Sequence, residues 1–262
     1  MIRISLYVIT YNEESRLGCT LKAAAPLVDE IIVVDCGSTD KTIEIAKSYS
    51  AKVYHHDWVS FGNQVHVAEN YCTNDWVLRL DADEEIGDEL ADEIRTIKNQ
   101  PDCDGYCLRI GEVYPGIEKP IRWAKHYKRI RLYNRTKMKM MGVLDRDAVD
   151  PVVPHLRVRT LHGFIHHHSY ISLSQVITKQ NRASDTQIQM IAQAGKKYKP
   201  WRVIGTSTFT FFQYYIVYRH FLYGYWGFIN AVTVAFFRFA KFAKWYEHEV
   251  FMLEEGKKSK HP

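Results

Sequence analysis

The chain has 262 residues, 46% of them hydrophobic and 25% charged, which allows a sizeable core and excludes a disordered protein. Its net charge of +5 is uneven: from Gly195 onward Lys and Arg exceed Asp and Glu by 7, leaving the rest at −2. A near-neutral body with a basic, aromatic tail argues against nucleic acid as a partner and for a surface that the tail contacts.

Ile4 to Ile9 is an apolar run that leads straight into Thr10-Tyr11-Asn12-Glu13-Glu14. With no small-residue cleavage site it reads as a first strand and not a signal peptide. Leu17, Leu21, Ala24 and Val28 then mark one helix face, and Ile31 to Val34 is a second strand, continuously apolar as buried parallel strands are. Asp35-Cys36-Gly37-Ser38-Thr39-Asp40 follows. Gly37 suits a tight turn there, and Ser38, Thr39 or Asp40 can cap the next helix, residues 40–49. A short strand at Val53 to His55, a helix face of Phe61, Val65, Ala68 and Cys72, and a fourth strand at Trp76 to Leu80 complete an alternating βα order. This order predicts a doubly wound, mostly parallel α/β sheet with helices on both faces.

At the end of that fourth strand stands Asp81-Ala82-Asp83-Glu84-Glu85, followed by a helix from Asp88 to Gln100. Two readings compete: a solvated acidic turn before a helix start, or oxygen ligands for Mg²⁺ or Mn²⁺. In a parallel sheet Thr10, Asp35 and Asp81 emerge on one rim, where open α/β sheets bind ligands. Glu84 and Glu85 read as supporting groups or plain helix-start charges.

Beyond residue 100 the pattern changes. Tyr106, Leu108 and Ile110, then Ile130 and Leu132, alternate with other residues as strands of a mixed extension do. Between them lies a loop, residues 111–127, whose Tyr114, Trp123 and Tyr127 can either stack on a ligand or pack inward. A second acidic cluster, Asp145-Arg146-Asp147, precedes the run His166-His167-His168, which is either structural or metal-ligating. Ser172 is placed to cap a helix that stops at Gly195. The five cysteines are scattered, with no paired metal-ligand spacing, so neither zinc nor a disulfide framework is expected.

From residue 196 two aromatic runs, 203–217 and 221–237, are each shorter than the roughly 20 apolar residues a membrane-spanning helix needs. Arg219, Arg238, Lys241 and Lys244 flank them, which suits helices lying on an anionic membrane surface. Packing on the body or on a second copy, as a homo-oligomer, is the competing reading.

Three blocks, Val8 to Glu14, Ile32 to Thr42 and Asp75 to Glu84, together resemble glycosyltransferase family 2, the inverting enzymes of GT-A fold. The branch most similar is that of lipopolysaccharide core glucosyltransferases. The resemblance implies a GT-A domain over residues 1–195, with a nucleotide-binding half at 1–100 and an acceptor half at 101–195. A membrane-interfacial helical extension would occupy 196–262. It implies that Thr10, Tyr11, Glu13, Asp35 and Ser38 line the nucleotide pocket, with Asp35 on the base. Asp81 and Asp83, completed by His167 or a neighbouring histidine, would hold a divalent cation (Mg²⁺ or Mn²⁺) on the diphosphate. Asp145, with Asp147 in reserve, would be the catalytic base.

Two departures stand out: Val143-Leu144-Asp145 lacks the histidine usual before the base, and Gln64-Val65-His66 stands where relatives carry Lys-Asn. The implied partners are a UDP-sugar donor, a lipid-linked glycan acceptor and an anionic membrane, at the cytoplasmic face of a bacterial inner membrane and peripheral to it. A polyprenyl-phosphate sugar transferase and a catalytically degenerate scaffold of the same fold are the alternatives.

Overall fold

The computed structural model describes residues 1–140, 149–193 and 202–258. Their contacts divide the chain into two compact units, residues 1–120 with 126–169, and residues 121–125 with 170–262.

The first unit is built on β1 (Ile4–Thr10), α1 (Leu17–Ala24), β2 (Glu30–Asp35), α2 (Thr42–Ser48), β3 (Lys52–His55), α3 (Phe61–Tyr71) and β4 (Trp76–Asp81). After these come β5 (Glu84–Ile86), α4 (Asp88–Asn99), β6 (Gly105–Glu112), β7 (Tyr127–Asn134) and β10 (Val158–His167). The eight strands form one sheet in the order β3-β2-β1-β4-β7-β6-β10-β5, and β8 (Met138–Met140) pairs with β9 (Val149–Pro151) in a small ribbon. β1 runs parallel to β2 and β4, as the alternating pattern requires, whereas β7 enters antiparallel to both β4 and β6. The result is a mixed α/β sheet, parallel from β3 to β4 and antiparallel where β7 enters.

Burial follows from the apolar runs. Leu6, Val8, Val33, Leu78 and Leu80 on one face pack with Leu17 and Leu21 of α1 and with Leu90 and Ile94 of α4. Tyr7, Ile32, Val34 and Val77 on the other face pack with Val65 and Ala68 of α3. Helices therefore cover both faces, and strands buried on both sides need no polar alternation. One glycine is dictated by closeness: a Cβ at Gly163 would lie 2.3 Å from the Leu90 backbone nitrogen, so only glycine lets α4 approach β10. The carboxylate of Glu93 in α4 accepts from the His162 and Gly163 amides at the same place.

The second unit contains α5 (Leu173–Gln193), α6 (Arg202–Phe212) and α7 (Tyr225–Lys258), with a π-helical turn and a 3-10 turn between α6 and α7. Ile188 of α5 packs against Phe242 and Trp245 of α7. Lys244, expected on the basic flank, instead points its ammonium at α5, where Asn181 Oδ1, Ser184 Oγ and Asp185 Oδ1 accept from it. Phe209, Phe212, Phe221, Tyr225, Phe228, Phe236 and Phe239 are exposed. Among the described residues no helix is long and apolar enough to cross a membrane.

Candidate active site

The register of the parallel strands sets the rim. Thr10 of β1 lies opposite Asp35 of β2, and Ile9 lies opposite Asp81 of β4, so the three polar clusters share one edge.

The first two clusters are stitched to each other. Asp35 is buried, and its Oδ1 accepts from the hydroxyls of Thr10 and Ser38 while its Oδ2 accepts from the Gly37 and Ser38 amides, both at 2.8 Å. A carboxylate has about four acceptor positions, and here the chain itself fills them. Gly37 takes the positive φ of +105° that this turn needs. The Asn12 amide donates to Ser38 Oγ, the Thr39 amide to Asn12 Oδ1, the Glu13 amide to Thr42 Oγ1 and the Glu14 amide to Asp40 Oδ2. Asn12, Asp35, Ser38, Thr39, Asp40 and Thr42 thus hold two loops together. Asp35, expected to contact the nucleobase, is here engaged by four donors of the chain itself. Tyr11 is exposed on the same rim.

The third cluster is built differently. Asp81 is held by two buried arginines, Arg79 Nη2 at 3.1 Å on Oδ1 and Arg131 Nη2 at 3.1 Å on Oδ2. Arg131 of β7 also donates to Glu84 Oε1 at 2.9 Å, and the Asp81 amide donates to Glu84 Oε2. Glu84 is therefore a buried member of a strand, not a helix-start charge. Burial raises the Asp81 carboxyl, but Arg131 and Arg79 reverse this and hold it well below the usual range. Burial dominates at Glu84, pushing it up to about 7 with help from the Asp81 charge and against Arg131.

Asp83 faces other partners. Its Oδ2 accepts from Arg16 Nη1 at 3.1 Å and lies 3.5 Å from His167 Nε2. Arg16 also grips Glu13 through two parallel bonds of 2.7 and 2.8 Å and donates to the His168 carbonyl. The other His167 nitrogen, Nδ1, is 3.1 Å from Glu112 Oε1. Burial lowers the imidazole, yet the two carboxylates outweigh it and raise His167 to about 11. The three histidines diverge: His166 is pushed down by burial, His167 faces Asp83, and His168 Nε2 meets Glu85 at 2.9 Å. β5 pairs antiparallel with the end of β10, His167 opposite Glu84, which brings the histidines to the Asp81–Glu85 turn.

Cation bonds of about 2.1 Å place neighbouring ligand atoms about 3.0–3.4 Å apart, close to the separation of Asp83 Oδ2 and His167 Nε2. These two atoms suit a shared divalent cation. Among the described residues no group of three His, Cys, Asp or Glu side chains could hold one, so a ligand would have to supply the remaining oxygens, as substrate phosphates do for Mg²⁺. Asp81, the other expected ligand, has each of its oxygens engaged by an arginine.

Asp145 and Asp147 lie outside the described residues. The departure at Gln64–His66 has a structural account: Gln64 pairs with the His56 ring and carbonyl, and His66 Nδ1 meets the Met140 carbonyl at 2.6 Å. Met140's amide donates to Glu69, whose other oxygen takes the Tyr133 hydroxyl. Of the loop aromatics, Tyr114 is buried, while Trp123 and Tyr127 are exposed.

Arg16, Arg79, Glu84, Glu112 and Arg131 were not among the sequence-derived candidates. Arg131 alternates with apolar Ile130 and Leu132, and a charge on the alternate positions of a strand reads as a solvated face. Only the tertiary pairing with Asp81, 50 residues away, reveals otherwise.

A model of the family "Glycosyl transferase family 2" matches residues 5–153. An uncharacterized glycosyltransferase of Rickettsia typhi is 35% identical over 253 residues, covering 93% of this chain and 87% of the relative. The lipopolysaccharide core biosynthesis glycosyltransferase LpsC of Rhizobium meliloti is 25% identical, covering 93% of this chain and 92% of its own. Among solved structures, residues 1–349 of TarS from S. aureus align with 64% of this chain and 61% of that one, at 19% identity and a TM-score of 0.48.

Proposed function

Since the chain belongs to glycosyltransferase family 2, we propose that it transfers a sugar from a nucleoside-diphosphate donor, a UDP-sugar, to a lipid-linked glycan with inversion at the anomeric carbon. The opposition of Asp83 Oδ2 and His167 Nε2 at 3.5 Å on the rim carries this reading. A divalent cation there would offset the charge that develops on the departing diphosphate. Asp83 and His167 would hold it, with Asp81 behind them fixing the turn through its two arginines. Thr10, Tyr11, Glu13 and Ser38 border the nucleotide pocket. Tyr11, exposed, offers a ring for stacking, and Glu13 keeps Arg16 directed at Asp83.

The acceptor hydroxyl loses its proton as it attacks, which calls for a carboxylate base. Asp145 is the candidate, with Asp147 second. Asp145→Asn is expected to cost on the order of 10²–10⁴ in transfer rate while leaving UDP affinity unchanged, and undiminished turnover would transfer the assignment to Asp147.

The acceptor is proposed to be lipopolysaccharide core, in keeping with the name of the Rhizobium relative, which aligns over 92% of its length. The exposed aromatics of α6 and α7, with Arg219 and Arg238 among them, suit an anionic bilayer surface. The 196–262 segment would then rest on the cytoplasmic face of the inner membrane.

Calorimetry of UDP binding with and without Mn²⁺ tests the central point. Affinity should rise with the cation, and equal affinity in both conditions would remove the cation from the mechanism. Flotation with anionic vesicles tests the tail, and a protein that stays at the bottom of the gradient at low salt would argue for a second copy as its partner.

A further inference from the structure

Glu112 has no place in the transfer chemistry itself, yet it is partly screened from water and points into the site. It ends β6, which runs parallel to β10 with Glu112 opposite His167. Its Oε1 faces His167 Nδ1 at 3.1 Å, and its Oε2 accepts from Ser169 Oγ at 2.6 Å. The Val113 amide donates to the His167 carbonyl at 3.0 Å, so main chain and side chain are registered together. The side chains of His167 and Glu112 are only 24% and 20% exposed. A histidine so gripped at Nδ1 presents Nε2 in one direction, and that direction is Asp83.

We propose that Glu112 is the positioning residue of the site: it accepts a hydrogen bond from His167 Nδ1 and holds the ring so that Nε2, which releases its hydrogen when a divalent cation binds, shares that cation with Asp83. A carboxylate behind a ligating imidazole fixes its orientation and raises its basicity. Ser169 keeps the carboxylate from rotating away by occupying its second oxygen. Glu112 acts only through His167 and does not touch the cation. Strand pairing, not sequence proximity, makes this possible, since the two residues are 55 apart.

This inference rests on the cation reading above, and the experiment separates the two. Mn²⁺ is titrated by calorimetry into UDP-saturated protein for the parent, Glu112→Ala, Glu112→Gln, His167→Ala and the Glu112→Ala/His167→Ala double variant. Melting temperatures without metal are recorded alongside. Glu112→Ala is expected to weaken Mn²⁺ binding by roughly 10–100-fold, the usual cost of removing such a partner. Glu112→Gln, which keeps an acceptor for Nδ1–H but not the charge, should lose less. The double variant should bind Mn²⁺ no more weakly than His167→Ala, because Glu112 has nothing to act on once the ring is gone.

Parental Mn²⁺ affinity in Glu112→Ala overturns the proposal and leaves the cation reading intact. So does a double variant whose losses add, since Glu112 would then reach the cation on its own. A parent whose UDP complex takes up no Mn²⁺ overturns both.

Discussion

Two turns at the same edge of the sheet use carboxylates in opposite ways. In the turn after β2, the Asp35 carboxylate is filled by four donors from its own loop and from Thr10, and the polar residues around it tie that loop to the one after β1. In the turn between β4 and β5, Asp81 is likewise filled by Arg79 and Arg131, but Asp83 keeps an oxygen directed at His167. The carboxylate of the first turn is engaged wholly by its own loops, whereas the second turn engages one aspartate with two arginines and turns the next toward a histidine. A shared motif letter therefore says little about role, because the donors that a carboxylate already has decide what it can still bind.

The strongest break of this comparison is at Arg131. It sits between two buried carboxylates, Asp81 and Glu84, at 3.1 and 2.9 Å. Arg131→Met removes the arginine bond from Glu84 and one of the two from Asp81, which keeps Arg79, and removing one member of such a buried group costs about 3–5 kcal/mol. Urea unfolding measures this, and a variant within about 1 kcal/mol of the parent would mean that the cluster is wetter than its burial indicates.

Next in size is the contrast between Asp83 and Asp35. Asp83→Asn removes the charge that would face a cation and is expected to lower the transfer rate on the order of 10²-fold, with a nearly parental melting temperature. Asp35→Asn should do the reverse. An amide offers one acceptor oxygen where the carboxylate offers two, so a donor is left unmet at a cost of about 1–3 kcal/mol. Its UDP affinity should stay near the parental value. Lost UDP affinity with unchanged stability in Asp35→Asn would restore the direct base contact and erase the distinction between the turns.

Much of the frame is legible in the sequence because it is written in local periodicity. Ile31 to Val34 and Trp76 to Leu80 can only be buried strands, and their order forces Thr10, Asp35 and Asp81 to one rim. What the sequence hides is pairing at long range. β5 is three residues long and begins with two glutamates, so its pattern shows neither strand nor core; it is a strand because β10 pairs with it and Arg131 donates to Glu84. The roles of Arg16 and Glu112 are hidden for the same reason, since each is set by a partner across the sheet. The departure at Gln64-Val65-His66 reads as a gap in a nucleotide site, yet His66 is engaged with the Met140 carbonyl, a contact that no spacing rule contains.

The mildest test of the second turn is its pH dependence. Burial pushes Glu84 up to about 7, from the 4.5 of an exposed glutamate. Between those values the folded protein keeps a proton that the unfolded chain has already released. Stability then falls as pH rises through this window, because the state that binds more protons is favoured at the acid end. Asp81 has the opposite sign: held low by its arginines, it adds stability above the ordinary aspartate range and loses it only in stronger acid. Unfolding free energies at about pH 5 and about pH 7.5 should thus decline in the parent and decline less in Glu84→Gln, whose remaining fall comes from His167, raised to about 11. A parent that gains stability across the window would show that Arg131 keeps Glu84 ionised throughout, and the buried cluster would then carry two full negative charges matched by Arg79 and Arg131.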